Sequence, residues 1–153
     1  MLRILAVIAS AAVLIGAAVY VLACPCGPVP GLWLFGDRAT EPVDDWAFVN
    51  DAGLCQLQVQ TWKPHTLNLN CMSDNGDLFV SCSNCAGKSW SNHVLTKPQG
   101  YIKAGDAVYP VTLARVTAAS ELDRAWAARA AKVNRGSDAP RPDHWWSFQL
   151  TSR

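Results

Sequence analysis

Apolar residues run from Ile4 to Ala23 with only Ser10 and Gly16 as weak interruptions. At about 1.5 Å per residue, a helix of that length crosses the roughly 30 Å hydrocarbon core of a bilayer. From Leu54 the period changes to two. Cys55, Leu57 and Val59 alternate with Gln56, Gln58 and Gln60; after a turn at 62–65, Leu67, Leu69 and Cys71 alternate with Asn68 and Asn70. This pattern predicts a hairpin with one apolar and one amide-rich face. Asn75-Gly76 supplies the positive φ of a tight turn, and a third strand follows over 77–83, with Leu78, Val80 and Cys82 on one face. Residues 88–95 predict a short helix with Trp90 and Val94 four apart, ended by Pro98. Residues 101–103 and 107–116 read as strands around Gly105-Asp106, and Pro110 argues for an edge or a bulge in the second. Ser120, with Asp123 three residues on, predicts a helix cap. Leu122, Ala125, Trp126, Ala130 and Val133 form that helix's buried stripe, and Gly136 is its expected stop. After a polar loop over 134–143, a last strand runs over 145–150. The whole reads as mainly β, with about six strands and two helices behind one N-terminal transmembrane helix.

The chain therefore divides into an anchor or signal over 1–23, a Pro/Gly-rich linker over 24–44 and one domain over 45–153. Arg3 precedes the apolar run, and positive charge stays cytoplasmic, so the domain is expected on the periplasmic or extracellular side of a single-pass membrane protein. The run is longer than an ordinary signal core. Its end, Val21-Leu22-Ala23-Cys24, resembles a lipoprotein cleavage box, which makes Cys24 a candidate for lipidation. An uncleaved anchor, a lipoprotein signal and a plain secretory signal are the three readings. In the linker, Trp33, Leu34 and Phe35 are expected to dock on the domain or at the membrane surface. The net charge of +1 and the absence of a basic patch exclude nucleic acid as a partner class.

Six cysteines stand in 153 residues, and thiols outside the cytoplasm pair or bind metal. Cys55 and Cys71 share the apolar face of the hairpin near its open end, within reach of a bridge if the register brings them opposite. Cys82 and Cys85, between a strand and a helix, are candidates for a disulfide or for redox thiols, because a helix N-terminus favours thiolate. Cys82, Cys85, His93 and Cys71 have zinc-ligand chemistry but lack a second paired motif, so no metal site is assigned. His65, His93 and His144 have no triad spacing. The amide face of Gln56, Gln58, Gln60, Asn68 and Asn70 is either a solvated surface or a wall facing a ligand or partner. Seven tryptophans exceed what a small core needs, and Trp33, Trp46, Trp145 and Trp146 fall outside the clearest periodic segments. Aromatic residues in such places anchor interfaces.

The order hairpin, third strand, short helix with Trp90-x-x-His93, Pro98, two strands and long amphipathic helix resembles the flavin-binding split barrels. Within them it resembles the deazaflavin-dependent nitroreductase-like proteins. The text that carries the resemblance is 57–61, 66–70, 76–80, 89–95, Pro98, 109–111 and the helix over 120–133. The resemblance implies a split β-barrel that pairs as a homodimer, and a flavin or deazaflavin doing redox chemistry. It places the cofactor phosphate at Lys63 and Thr66, then Ser83, Lys88 and Ser89, with Trp90 beside the ring system. The usual basic, glycine-containing turn is reduced here to Trp62-Lys63-Pro64-His65. The competing class is a non-catalytic accessory or assembly subunit of a larger membrane complex, using the amide face and the tryptophans.

Overall fold

A computed structural model of the chain describes residues 2–23, 30–60, 62–134 and 140–153. Cys24, Cys26, Gly136 and most of the expected linker's proline-rich start lie outside the described residues. Helix α1 (Leu2–Ala23) is the apolar run, about 33 Å long at the ideal rise. Its window Arg3–Tyr20 is long and apolar enough to cross a membrane, and none of it is buried against the rest of the chain.

The domain is one antiparallel sheet that curls on itself. Its strands are β1 (Asp37–Arg38), β2 (Cys55–Gln60), β3 (Pro64–Leu69), β4 (Cys71–Asp74), β5 (Asp77–Ser83), β6 (Gln99–Ala104), β7 (Ala107–Arg115) and β8 (Trp145–Ser152). The order across the sheet is β3-β2-β6-β7-β8-β5-β4, with β1 added in parallel to the start of β7. The hairpin alternation, the Asn75-Gly76 turn and the third strand over 77–83 appear as expected. Both turn residues carry positive φ, 50° and 83°.

Eight strands stand among the described residues where about six were expected, for two reasons. First, β3 and β4 are one descending run broken at Asn70, where the chain leaves β2 and pairs with β5. That change of partner, with β3 also approaching β5, brings the two sheet edges together. Second, the expected linker is a strap. Gly31 pairs with Thr66 on the free edge of β3, Leu34 N–H donates to Gln58 Oε1 at 2.6 Å, and Lys103 Nζ donates to the Phe35 carbonyl at 3.0 Å. Residues 37–38 then become β1. The strap thus crosses the amide-rich face from one side to the other.

Pro110 is in neither an edge strand nor a bulge. It lies where β7 exchanges one neighbour for another: β1 flanks Ala107 and Val108, and β8 begins its register at Val111. A residue without an N–H costs no ladder bond at such a seam.

Inside the curl, Leu57, Val59, Val80, Ile102, Val111, Phe148 and Trp90 form the main core, all buried. A second cluster, Met72, Phe79, Ala125 and Trp145, lies under α3 (Ala119–Lys132) on the outer face of β4, β5 and β8. Each such large side chain contributes about 1.5–3 kcal/mol on burial. The helix starts one residue before Ser120. Ala118 is the cap, no side chain caps the helix, and the Ser120/Asp123 box does not form. It ends at Lys132, with Asn134 left-handed (φ 49°) two residues before the expected glycine. Tertiary contacts replace the cap. Arg124 bonds Asp77 and Glu121 at 2.6 Å and Asp74 at 3.2 Å, which ties α3 to the β4–β5 turn and pushes the guanidinium pKa up.

Candidate functional site

Antiparallel pairing puts the last residues of β2, β5 and β7 at one end of the barrel, together with the first residues of β3, β6 and β8. The residues expected to meet a cofactor all belong to this end, but they are not equivalent. Lys63, Ser83, Lys88 and Ser89 are exposed. Lys63 stands 4.5 Å from the Trp62 ring centre. Thr66 is fully buried, and its hydroxyl donates to the Leu32 carbonyl of the strap at 3.1 Å. Trp90 is a core residue, its ring 5.6 Å from that of Phe148. It is the second residue of the five-residue helix α2 (Ser89–His93), and its side chain is buried.

All four described cysteines form disulfides. Cys55 and Cys71 are bridged with their Cα atoms 5.7 Å apart, although Cys55 is opposite Leu69 in the register. Cys71 reaches it because the chain breaks at Asn70. Cys82 and Cys85 are bridged across a tight loop in which Asn84 is left-handed. Cys85 opens a 3-10 turn and α2 starts four residues later, so the expected placement of these sulfurs at a helix N-terminus does not arise. Both sulfur pairs are buried, and the three sulfurs considered as zinc ligands together with His93, those of Cys71, Cys82 and Cys85, are engaged in bridges. Ser91 holds this corner by donating to the carbonyls of Cys85 and Lys88.

Among the described residues, two of the clefts on the domain are the larger ones. The larger, about 520 Å³, lies between α3, β4 and the 3-10 turn Ala47–Asn50. Most of its polar groups serve each other. Asn50 exchanges two hydrogen bonds with the Ser73 backbone, and Lys132 Nζ donates to the Val49 carbonyl at 2.5 Å. Burial lowers the Lys132 pKa, and Asp51 opposes that shift. This cleft is a seam that joins α3 to the sheet.

The smaller cleft, about 270 Å³, lies on the amide face and is lined by Gln58, Gln60, Gln99, Gly100, Tyr101 and Arg153. The strap bounds it. Gln58 holds Leu34, and Arg38 stacks 4.3 Å from the Tyr101 ring centre. The amide alternation in β2 made Gln58 and Gln60 legible in the sequence. Gln99, Tyr101 and Arg153 carry no local signal; only the β2–β6 pairing and the end of β8 bring them in. Asn68 and Asn70 belong to β3 and to its break, away from this cleft. Uncharged amides offer donors and acceptors together, and Tyr101 adds a flat apolar surface.

No family model and no curated protein matches this sequence. Solved structures do match it in shape. One is a candidate pyridoxamine 5'-phosphate oxidase from Listeria innocua: TM-score 0.55, 13% identity, covering 70% of this chain and 89% of that one. Another is a hypothetical protein from Mycobacterium tuberculosis, at 0.53 and 13%, covering 76% and 86%. A third is HutZ, the haem storage protein from Vibrio cholerae, at 0.51 and 16%, covering 69% and 85%. Identities this low establish likeness of fold and nothing finer. The domain of this chain has the split-barrel fold.

Proposed function

We propose that the chain is a membrane-anchored split-barrel protein whose domain lies on the far side of the membrane from its N-terminus, and that the amide cleft takes a planar heteroaromatic ligand of the flavin or deazaflavin class. The observation that carries the ligand reading is the cleft wall. Gln60 and Gln99 present amide donors and acceptors beside Tyr101 and Arg153, and Gln58, whose Oε1 already accepts from Leu34 N–H, adds its Nε2 donor; such a wall suits a ring system edged with carbonyls and ring nitrogens. The anchoring is supported by the apolar α1, and the compartment by two disulfides, which persist in oxidising surroundings.

The phosphate end fits less well. Thr66 has spent its hydroxyl on the strap and Trp90 is in the core, which leaves Lys63, Ser83, Lys88 and Ser89. Affinity should therefore come from the ring. At about 270 Å³ the cleft is just below the usual range for small-molecule sites, so it covers one face of such a ring. A second copy of the chain would supply the opposite wall. Such a group supplies redox chemistry when bound, and the residues here would orient it.

Titration of the full chain in mild detergent with riboflavin, flavin mononucleotide and a deazaflavin tests this through quenching of ligand fluorescence. Riboflavin and flavin mononucleotide should bind within a few-fold of each other. Gln60→Leu with Gln99→Leu should weaken both by about tenfold, the worth of one or two hydrogen bonds. Absence of quenching by all three ligands would sink the reading. Co-purification of colourless protein with larger membrane proteins would then favour the accessory-subunit class.

A further inference from the structure

The domain is electrically two-ended. At the end that carries the β2–β3 turn, the exposed cations are Lys63, Lys88, Lys97 and Arg115. Asp143 is exposed there as well, and Asp123 of α3 is paired with Arg141 from the loop before β8. The same end shows Trp62, 86% exposed, and Leu95, 48% exposed. The opposite end carries exposed Asp37, Asp44, Asp45, Asp51 and Asp106 with one exposed cation, Arg38, beside Asp37, and its exposed apolar residues are Leu54 and Phe48. Its Asp74 and Asp77 are neutralised by Arg124, and its Lys103 is bonded to the strap.

The tether fixes how far this domain can travel. Six residues separate Ala23, the end of α1, from Pro30, so seven Cα–Cα steps reach at most about 25 Å. The strap begins at Gly31, paired with Thr66, two residues along β3 from Pro64 and the Trp62 turn. Trp33, half-exposed, follows within two residues. A domain held this closely stays within reach of the bilayer, and its surface chemistry decides which part faces the lipid. Anionic headgroups attract a basic end and repel an acidic one, and tryptophan partitions to the headgroup layer.

We infer that the barrel docks on the bilayer that holds α1, with Trp62, Trp33 and Leu95 in the headgroup layer and Lys63, Lys88 and Lys97 against anionic lipid. This rests on the reading of α1 as a membrane span. The amide cleft between β2 and β6 then lies on the flank of the barrel, within a few residues of the lipid surface.

The chain offers a direct test, because α1 contains no tryptophan and all seven lie beyond residue 32. Full-length protein is reconstituted into vesicles of three parts phosphatidylcholine to one part phosphatidylglycerol, with and without bromine on the phosphatidylcholine acyl chains. Flotation of the vesicles is scored first. Bromine should quench part of the tryptophan emission. Trp62→Ser should at least halve the quenched part, and Trp62→Ser with Trp33→Ser should remove most of it. Lys63→Glu with Lys97→Glu should also reduce it, and less so in vesicles of phosphatidylcholine alone. Trp62 is almost fully exposed, so its replacement leaves the core intact. Protein that floats but shows no bromine quenching overturns the docking and leaves the anchor standing, as does quenching that the double serine variant does not change. Protein that does not float overturns both.

Discussion

A Cβ on Gly100 would sit 2.8 Å from the Gln58 carbonyl and 3.2 Å from Leu113 Cδ1. The first neighbour is backbone and cannot give way, so Gly100→Ala should destabilise the domain by about 1–3 kcal/mol, read as a lower urea midpoint. The same glycine floors the amide cleft, and any shift would be felt there first. His65 makes a second test. Burial, and next the charge of Lys63, hold its pKa below the ordinary 6.5. As the pH falls through 6.5 the unfolded chain takes up its proton first. Stability is therefore full above 6.5 and declines as the pH drops toward the lowered native value. Unfolding midpoints measured between pH 8 and pH 5 should show this decline, and His65→Gln should flatten it. Residue by residue, the alternation placed Gln58 and Gln60 on one face, where they line the cleft, but did not show that Thr66 and Trp90 are buried. A hydroxyl in an alternating strand looks available until a segment 34 residues upstream covers it. A tryptophan on a short helix looks peripheral until the barrel closes around it.

Among the elements, the strands with clean alternation and paired turns were legible because their information is local: period two, Asn-Gly, and an apolar face. The breaks were not. Asn70 lies in a continuous alternating run, and only the need to close the sheet makes it a change of partner. Pro110 looks like an edge marker but lies at an exchange of neighbours. Ser120 is a good cap by propensity, yet α3 is held by Arg124 and its buried face, which outweigh a cap worth about 1 kcal/mol. The Cys55–Cys71 bridge belongs to this scale because it clamps β2 to β4 across that break. Its sequence separation of 16 corresponds to a loop worth about 3 kcal/mol of chain entropy. Cys55→Ala with Cys71→Ala should lower the thermal midpoint accordingly. The Cys82–Cys85 pair, separated by only 3 residues, should contribute less.

For the whole molecule, the strap is the feature through which the chain from α1 enters the barrel. It begins on the edge of β3, crosses the amide face and ends as β1 beside β7. It decides how much of that face remains open and which end of the domain the tether approaches. The proposed ligand binding and lipid docking would thus be neighbouring properties of one flank and one end, and the two experiments separate them. A chain that docks but binds no flavin would retain the barrel as a surface-seated module. One that binds flavin but does not dock would carry a site free to turn toward a second copy.

The sequence by itself determined what short-range periodicity can encode: an apolar helix of membrane length, the β2–β3 and β4–β5 hairpins and the amide face. The order of its elements was enough to point to the split barrel. The tertiary structure alone decided the partner exchange at Asn70, the path of the strap, the loss of Thr66 and Trp90 from the surface, and the meeting of Gln99, Tyr101 and Arg153 with Gln58 and Gln60. Those outcomes depend on contacts between segments tens of residues apart. Their energies come from closing the sheet and excluding water from its core, and no local pattern records them.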